Sequence, residues 1–147
     1  MKKLKTLALI FGASLLLIAC EDDSDDNQAS TNAATQAQQT GANITNGPWI
    51  ITRFIDDDEN ETNDYQGWGF DFKANGELVA SKDNTSYTGS WLTRVDDGQA
   101  ELVINLQGPE FILELNEDWK IRAQSASEIQ LEDDDDPFTD QLTFTKS

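Results

Sequence analysis

From Trp49 to Lys146 the chain alternates apolar and polar residues with a period of two, and turn formers break the alternation every few residues. No other feature constrains the fold as strongly, because a period of two puts every second side chain on one face of an extended strand. In "WGFDF" the rings Trp68, Phe70 and Phe72 share a face opposite Gly69 and Asp71. Asn75-Gly76 follows, a pair suited to tight hairpin turns because both residues tolerate positive φ. "SYTGSW" aligns Tyr87, Gly89 and Trp91, and "AELVINL" aligns Leu102, Ile104 and Leu106. Further on, Phe111, Leu113 and Leu115 alternate with Ile112 and Glu114, and Trp119, Ile121 and Ala123 oppose Lys120 and Arg122. Ile129 with Leu131, and Leu142 with Phe144, complete the series. With a first strand around Trp49 to Ile55, the pattern predicts about eight or nine short antiparallel strands in a barrel or sandwich. No segment shows the spacing of an amphipathic helix.

The N-terminus reads differently. Lys2, Lys3 and Lys5 precede an apolar run from Leu7 to Ala19 that is shorter than the ~20 residues a spanning helix needs. A basic start, a short apolar core and a small residue at the cut describe a secretory signal peptide over residues 1–19. Leu17-Ile18-Ala19-Cys20 resembles the bacterial lipobox. That resemblance implies diacylglyceryl transfer to the Cys20 sulfur, cleavage before it, and acylation of the new amine by a chain such as palmitate. Cys20 is the one cysteine in the chain, so no internal disulfide competes for it. Two or three acyl chains hold a protein to a membrane without spanning it. The acidic stretch Glu21-Asp22-Asp23-Ser24-Asp25-Asp26 resembles the signal that sends Bacteroidota lipoproteins to the outer face of the outer membrane. Like charges there also extend the chain.

Residues 27–45 are almost entirely Gln, Asn, Ala, Thr, Ser and Gly, with Ile44 as the one large apolar residue. Such a composition predicts a disordered tether over residues 20–45, with a root-mean-square reach of roughly 25–30 Å. Residues 46–147 then form one modest domain.

Acidic residues number 28 against 10 basic ones, a net charge of −18. Cleavage of the signal would remove three lysines and no acid, making the chain more negative still. Nucleic acid is thereby excluded as a partner, since it requires a cationic surface. Cations, basic proteins and neutral ligands stay compatible.

Gly47-Pro48-Trp49 looks like the G-x-W signature of lipocalins, with Gly47 and Trp49 at the barrel end. "GPWIITRF", "FDFKANGELVAS", "YTGSW", "LNEDWKI", "EIQL" and "LTFTK" make residues 46–147 similar to the lipocalin-like domains of Bacteroidota lipoproteins. The resemblance implies an all-β, small antiparallel up-and-down β-barrel of about eight strands, calycin-like, with its tryptophan closing one end. Lipocalins commonly cover that tryptophan with an arginine, whereas Lys146 is the basic residue near this C-terminus. Strands this short leave an eight-stranded barrel room for little beyond its own side chains.

Catalytic residue types are scarce. The chain has no histidine, and Cys20 is committed to lipid, so the commonest general base, nucleophile and metal ligands are missing. No enzymatic activity is expected. Trp68, Phe70, Phe72, Tyr87 and Trp91 either line a cavity for a small apolar ligand or form the core. Two acidic blocks, Asp56–Asp64 and Glu132–Asp136, have the oxygen-rich character that suits Ca²⁺. An EF-hand is excluded, because Glu61 falls where glycine is needed and Gly67 where glutamate is needed. A calcium loop site drawing on Asp56, Asp58, Asn60, Asp133 and Asp135, or two solvated turns, stay open. The chain is thus expected to be a lipid-anchored, surface-exposed outer-membrane protein binding a small apolar ligand without a cofactor. The alternatives are an acidic interaction module with a filled core that meets a basic protein, or a calcium-binding surface protein.

Overall fold

The computed structural model describes residues 25–133 and 140–147. The signal segment, Cys20 and Asp135 lie outside them. Nine strands follow one another: β1 (Trp49–Asp56), β2 (Glu59–Asn60), β3 (Gly69–Phe72), β4 (Glu77–Lys82), β5 (Thr85–Asp96), β6 (Gln99–Leu106), β7 (Asp118–Gln124), β8 (Glu128–Glu132) and β9 (Gln141–Lys146). Each pairs antiparallel with its neighbours in the order β2-β1-β3-β4-β5-β6-β7-β8-β9, and β1 also pairs with β9. The sheet closes on itself as an eight-stranded up-and-down barrel with β2 as an extra strand, as the alternation and the lipocalin-like resemblance lead one to expect.

Alternation decides which side chains face in. Phe70, Phe72, Leu78, Leu102, Leu106, Ile129, Leu142 and Phe144 are all essentially inaccessible to solvent. Burying a side chain of this size is worth about 1.5–3 kcal/mol, so these positions set the barrel's stability. The β5–β6 hairpin turns on Asp97 and Gly98, both at positive φ, the conformation that matches a two-residue loop to strand twist.

Three expectations are corrected. Residues 25–44 are not a flexible tether: Asp25–Ile44 forms helix α1, which packs against β5, β6 and β7. Ala33, Ala37, Thr40 and Ile44, spaced four, three and four apart, are buried, and the three apolar ones join the barrel core. Alanine and glutamine are good helix formers. Small side chains also let the helix lie close, to the point that a Cβ on Gly41 would sit 3.2 Å from Thr93 Oγ1. The folded unit therefore begins well before residue 46. Second, Phe111–Leu115 is not a strand, because Glu110–Leu113 forms the short helix α2 after Pro109. Ile112 and Leu115, three apart, are fully buried, while Leu113 is 46% exposed. Third, Ala123 does not share the inward face of Ile121, because the β7–β8 register shifts between Ile121 and Ala123.

Trp49 and the C-terminus of α1 mark one end of the barrel, where Trp49 Nε1 donates to Ile44 O at 2.7 Å. At the other end a 3-10 turn, Thr62–Tyr65, packs on β1, and α2 packs on β6. There Tyr65 lies edge-on to Phe54 at 5.1 Å, and its hydroxyl donates to Phe111 O at 2.6 Å. No helix among the described residues is long and apolar enough to cross a membrane.

Candidate functional site

Of the five aromatic residues singled out in the sequence, Trp68, Phe70 and Phe72 are buried in the core, and Tyr87 and Trp91 pack against it. Trp68, Phe70 and Phe72 are 7%, 0% and 0% exposed. Trp68 stacks on Tyr87 at 5.5 Å, and Phe72 meets Trp91 edge-on at 5.6 Å. Phe144 bridges Phe70 and Phe72 at 5.5 and 5.3 Å. Tyr87 and Trp91 are half-buried against this core, and Trp91 Nε1 donates to Lys73 O at 2.9 Å. The rings fill one another's contact surfaces as core side chains do. Trp49, at the start of β1, is fully buried, and its direct cross-strand partner is Lys146.

Asp140 joins the β1–β2 turn to Asp133 at the other end. Asp57 N donates to an Asp140 carboxylate oxygen at 2.8 Å, and Asp133 N donates to Asp140 O at 3.2 Å, which ties the β1–β2 turn to the segment between β8 and β9. Asp57 and Asp58 both adopt positive φ at the tip of the turn. Burial, then Asp140, Asp57 and Glu61, raise the Asp56 pKa above the ordinary carboxylate value. Glu117 is raised likewise by burial and by Asp133, Asp118 and Asp140, against a backbone hydrogen bond from Asp118. Burial and the facing Glu114 raise Glu61. Tyr65, enclosed beside Glu114 and Glu61, is pushed far up and stays a neutral donor. Among the described residues no group of three or more acidic side chains could hold a metal ion; Asp56, Asp58 and Asp133 are among those residues and Asp135 is not. Asn60 Oδ1 instead accepts from Thr62 N at 3.1 Å.

A third arrangement lies on the outside of the barrel and was missed in the sequence. Strands β7, β8, β9 and β1 present a groove of about 650 Å³, lined by Arg53, Lys120, Arg122, Gln130, Glu132, Gln141 and Thr143 above Leu131. Register builds it in rows. Arg53 pairs with Thr143, which pairs with Gln130, and Gln141 pairs with Glu132, which pairs with Lys120. Irregularities flank both sides, since the β1–β9 register shifts between Ile51 and Arg53 and the β7–β8 register between Ile121 and Ala123. Such bulges increase local twist and re-aim side chains, which puts Thr52 with Arg53, and Arg122 with Ala123, outward in succession. Arg53 Nε donates to Gln141 Oε1 at 2.9 Å, and Arg122 Nε pairs with Glu132 Oε2 at 3.1 Å. Among the described residues, Arg53, Lys120 and Arg122 line the groove together with the buried carboxylate of Glu132. The visible signal was the break in alternation at "ITRF" and "IRAQ", where two outward residues follow one another.

No family model and no curated protein matches this sequence. Among solved structures, the barrel is similar to a DUF4847 family protein from Bacteroides vulgatus, with a TM-score of 0.52 and 17% identity over 71% of this chain and 94% of that one. A protein from Burkholderia xenovorans matches with a TM-score of 0.46 and 15% identity over 74% of this chain and 87% of that one. The first likeness supports the barrel fold.

Proposed function

We propose that the protein is a membrane-tethered, non-catalytic binding barrel that recognises its ligand on the outside of the barrel instead of carrying an apolar cargo within it. One observation carries the reading: the aromatic faces that would line an internal site are packed against each other, while the groove of Arg53, Lys120 and Arg122 opens outward. The lipobox-like Leu17–Cys20 supports membrane attachment through Cys20, and the acidic Glu21–Asp26 stretch supports placement at the outer face of the outer membrane. Helix α1 begins at Asp25, just after that cysteine, so the anchor leads into a docked helix and the barrel is held nearer the bilayer than a long flexible tether would leave it.

Two measurements test the reading. Mass spectrometry of the N-terminal peptide should find acyl chains on Cys20, and Cys20→Ser should release the protein from the membrane fraction. Unmodified Cys20 in membrane-free protein overturns the tether. Titration with the neutral apolar dye Nile red should give no saturable binding. One-to-one binding with energy transfer from the barrel tryptophans would restore the interior as the ligand site.

A further inference from the structure

We infer that the first part of α1, from Asp25 to Thr40, is a releasable arm that leaves the barrel and returns while the strands stay folded, with Gly41 as its hinge. Burial along the helix sets this part apart from the rest of the molecule. Residues 28–32 are all exposed, so the arm begins without a buried face. Between residues 28 and 40 the buried side chains are Ala33, Ala37 and Thr40. Each offers the core a single methyl group, and hydrophobic stabilisation grows with the apolar area removed from water. Thr40 weakens the docking further. It is fully buried, and its hydroxyl has no hydrogen-bond partner among the described residues. Water would satisfy that hydroxyl, so docking costs its desolvation and release recovers it. The arm's amide contacts, Gln36 Nε2 to Ile121 O at 3.0 Å and Gln124 Nε2 to Gln39 Oε1 at 2.8 Å, are part-buried and exposed, within reach of competing solvent.

Past Thr40 the helix is pinned. Ile44 is fully buried, and its carbonyl accepts from the buried Trp49 indole at 2.7 Å. Asn43 Nδ2 donates to Gln124 Oε1 beside it. Gly41 stands between the loosely held and the pinned part, and a glycine inside a helix is the residue with most backbone freedom to recover on release. Asp25–Thr40 contains no large apolar side chain, and short helices without packing are marginal in water. The arm therefore unwinds as it leaves, and its amides lose protection when the strands do not. On the tethered reading above, docking fixes how the barrel faces the membrane and release lets it turn. The motion itself does not depend on that reading, since it is measured whether or not Cys20 carries lipid.

The test is amide-resolved hydrogen exchange of the full-length protein, under conditions where exchange follows the opening equilibrium. Amides of residues 30–40 should exchange about tenfold or more faster than those of β6 and β9. The Trp49 indole N–H, at the pinned end, should stay as protected as the strands. Thr40→Val should slow the arm amides about fivefold and leave the strands unchanged, whereas Thr40→Ser, which keeps the hydroxyl, should not slow them. If Thr40→Val fails to fold, the rates of the parent chain still decide between an arm and a fixed helix. Arm amides that exchange at the rate of β6 and β9 would overturn the inference. A Thr40→Val effect that is absent, or spread over the strands, would overturn the role of Thr40. Loss of Trp49 indole protection together with the arm would overturn Gly41 as the hinge.

Discussion

At the scale of single residues, the barrel depends on positions where one atom too many cannot be placed. Gly89 sits between Leu78 of β4 and Leu106 of β6, and a Cβ there would fall 2.0 Å from Asn105 O and 2.6 Å from Leu106 Cα. Those are backbone atoms and cannot swing away as a flexible side chain could. Gly89→Ala should therefore destabilise the protein by about 2–3 kcal/mol or more, read as a lower urea midpoint with an unchanged slope. A variant as stable as the parent would show that β5 and β6 do not approach as closely as the geometry has it. Arg94, outside the groove, is held by three acids. It bonds Glu101 at 2.8 Å and Asp118 at 2.8 Å, with Asp96 at 3.3 Å, so it is saturated by acids.

At the scale of elements, helix α1 separates what the sequence displays from what only packing reveals. The inward apolar side chains of β3, β5, β6 and β9 were legible because a period of two cannot be met by any other element. Helix α1 was not, since its buried stripe of Ala33, Ala37, Thr40 and Ile44 offers one large apolar residue and its composition matches a disordered linker. It is held by tertiary contacts: Gln36 Nε2 donates to Ile121 O at 3.0 Å, and Asn43 and Gln39 bond Gln124. The groove escaped notice for a related reason. Its rows join β1 to β9 and β7 to β8, and the bulges that aim Arg53 and Arg122 depend on those pairings. Helix α2 was hidden because "EFILEL" alternates well enough to pass for a strand. Docking of α1 can be checked directly. Ala37→Glu places a charge in a fully packed site and should abolish hydrogen-exchange protection of the α1 amides while leaving the strands protected. Thr40 is inaccessible, and its hydroxyl has no hydrogen-bond partner among the described residues. Thr40→Val should therefore stabilise the docked helix by about 1 kcal/mol. If residues 25–44 were a free tether, neither substitution would change anything.

At the scale of the whole molecule, charge is distributed unevenly: the groove gathers three cations on the side of the barrel, while carboxylates crowd the end where β1 finishes. The chain's −18 is felt most at that end, where Asp56, Glu61 and Glu117 all have pKa values raised by burial and by each other's neighbours. A carboxyl whose pKa is higher in the folded chain than in the unfolded one binds its proton more tightly when folded. It contributes stability that is fully present below the ordinary values of 3.8 for Asp and 4.5 for Glu, and that stability is lost as pH rises through the raised value. Lowering the pH from neutral through the upper carboxylate range should therefore raise the midpoint of thermal unfolding. Salt should act in the same direction at neutral pH, since about 0.5 M sodium chloride shortens the screening length to about 4 Å. The two treatments relieve one repulsion, so their effects should be less than additive. A substitution can locate the effect: Asp140→Asn removes a charge facing both Asp56 and Glu117 while keeping an oxygen that can accept from Asp57 N. It should raise the midpoint at neutral pH and flatten the gain on acidification. A midpoint that falls steadily from neutral pH downward would mean that these carboxylates stabilise the fold as anions, and that the acidic end is held together by something other than the contacts described above.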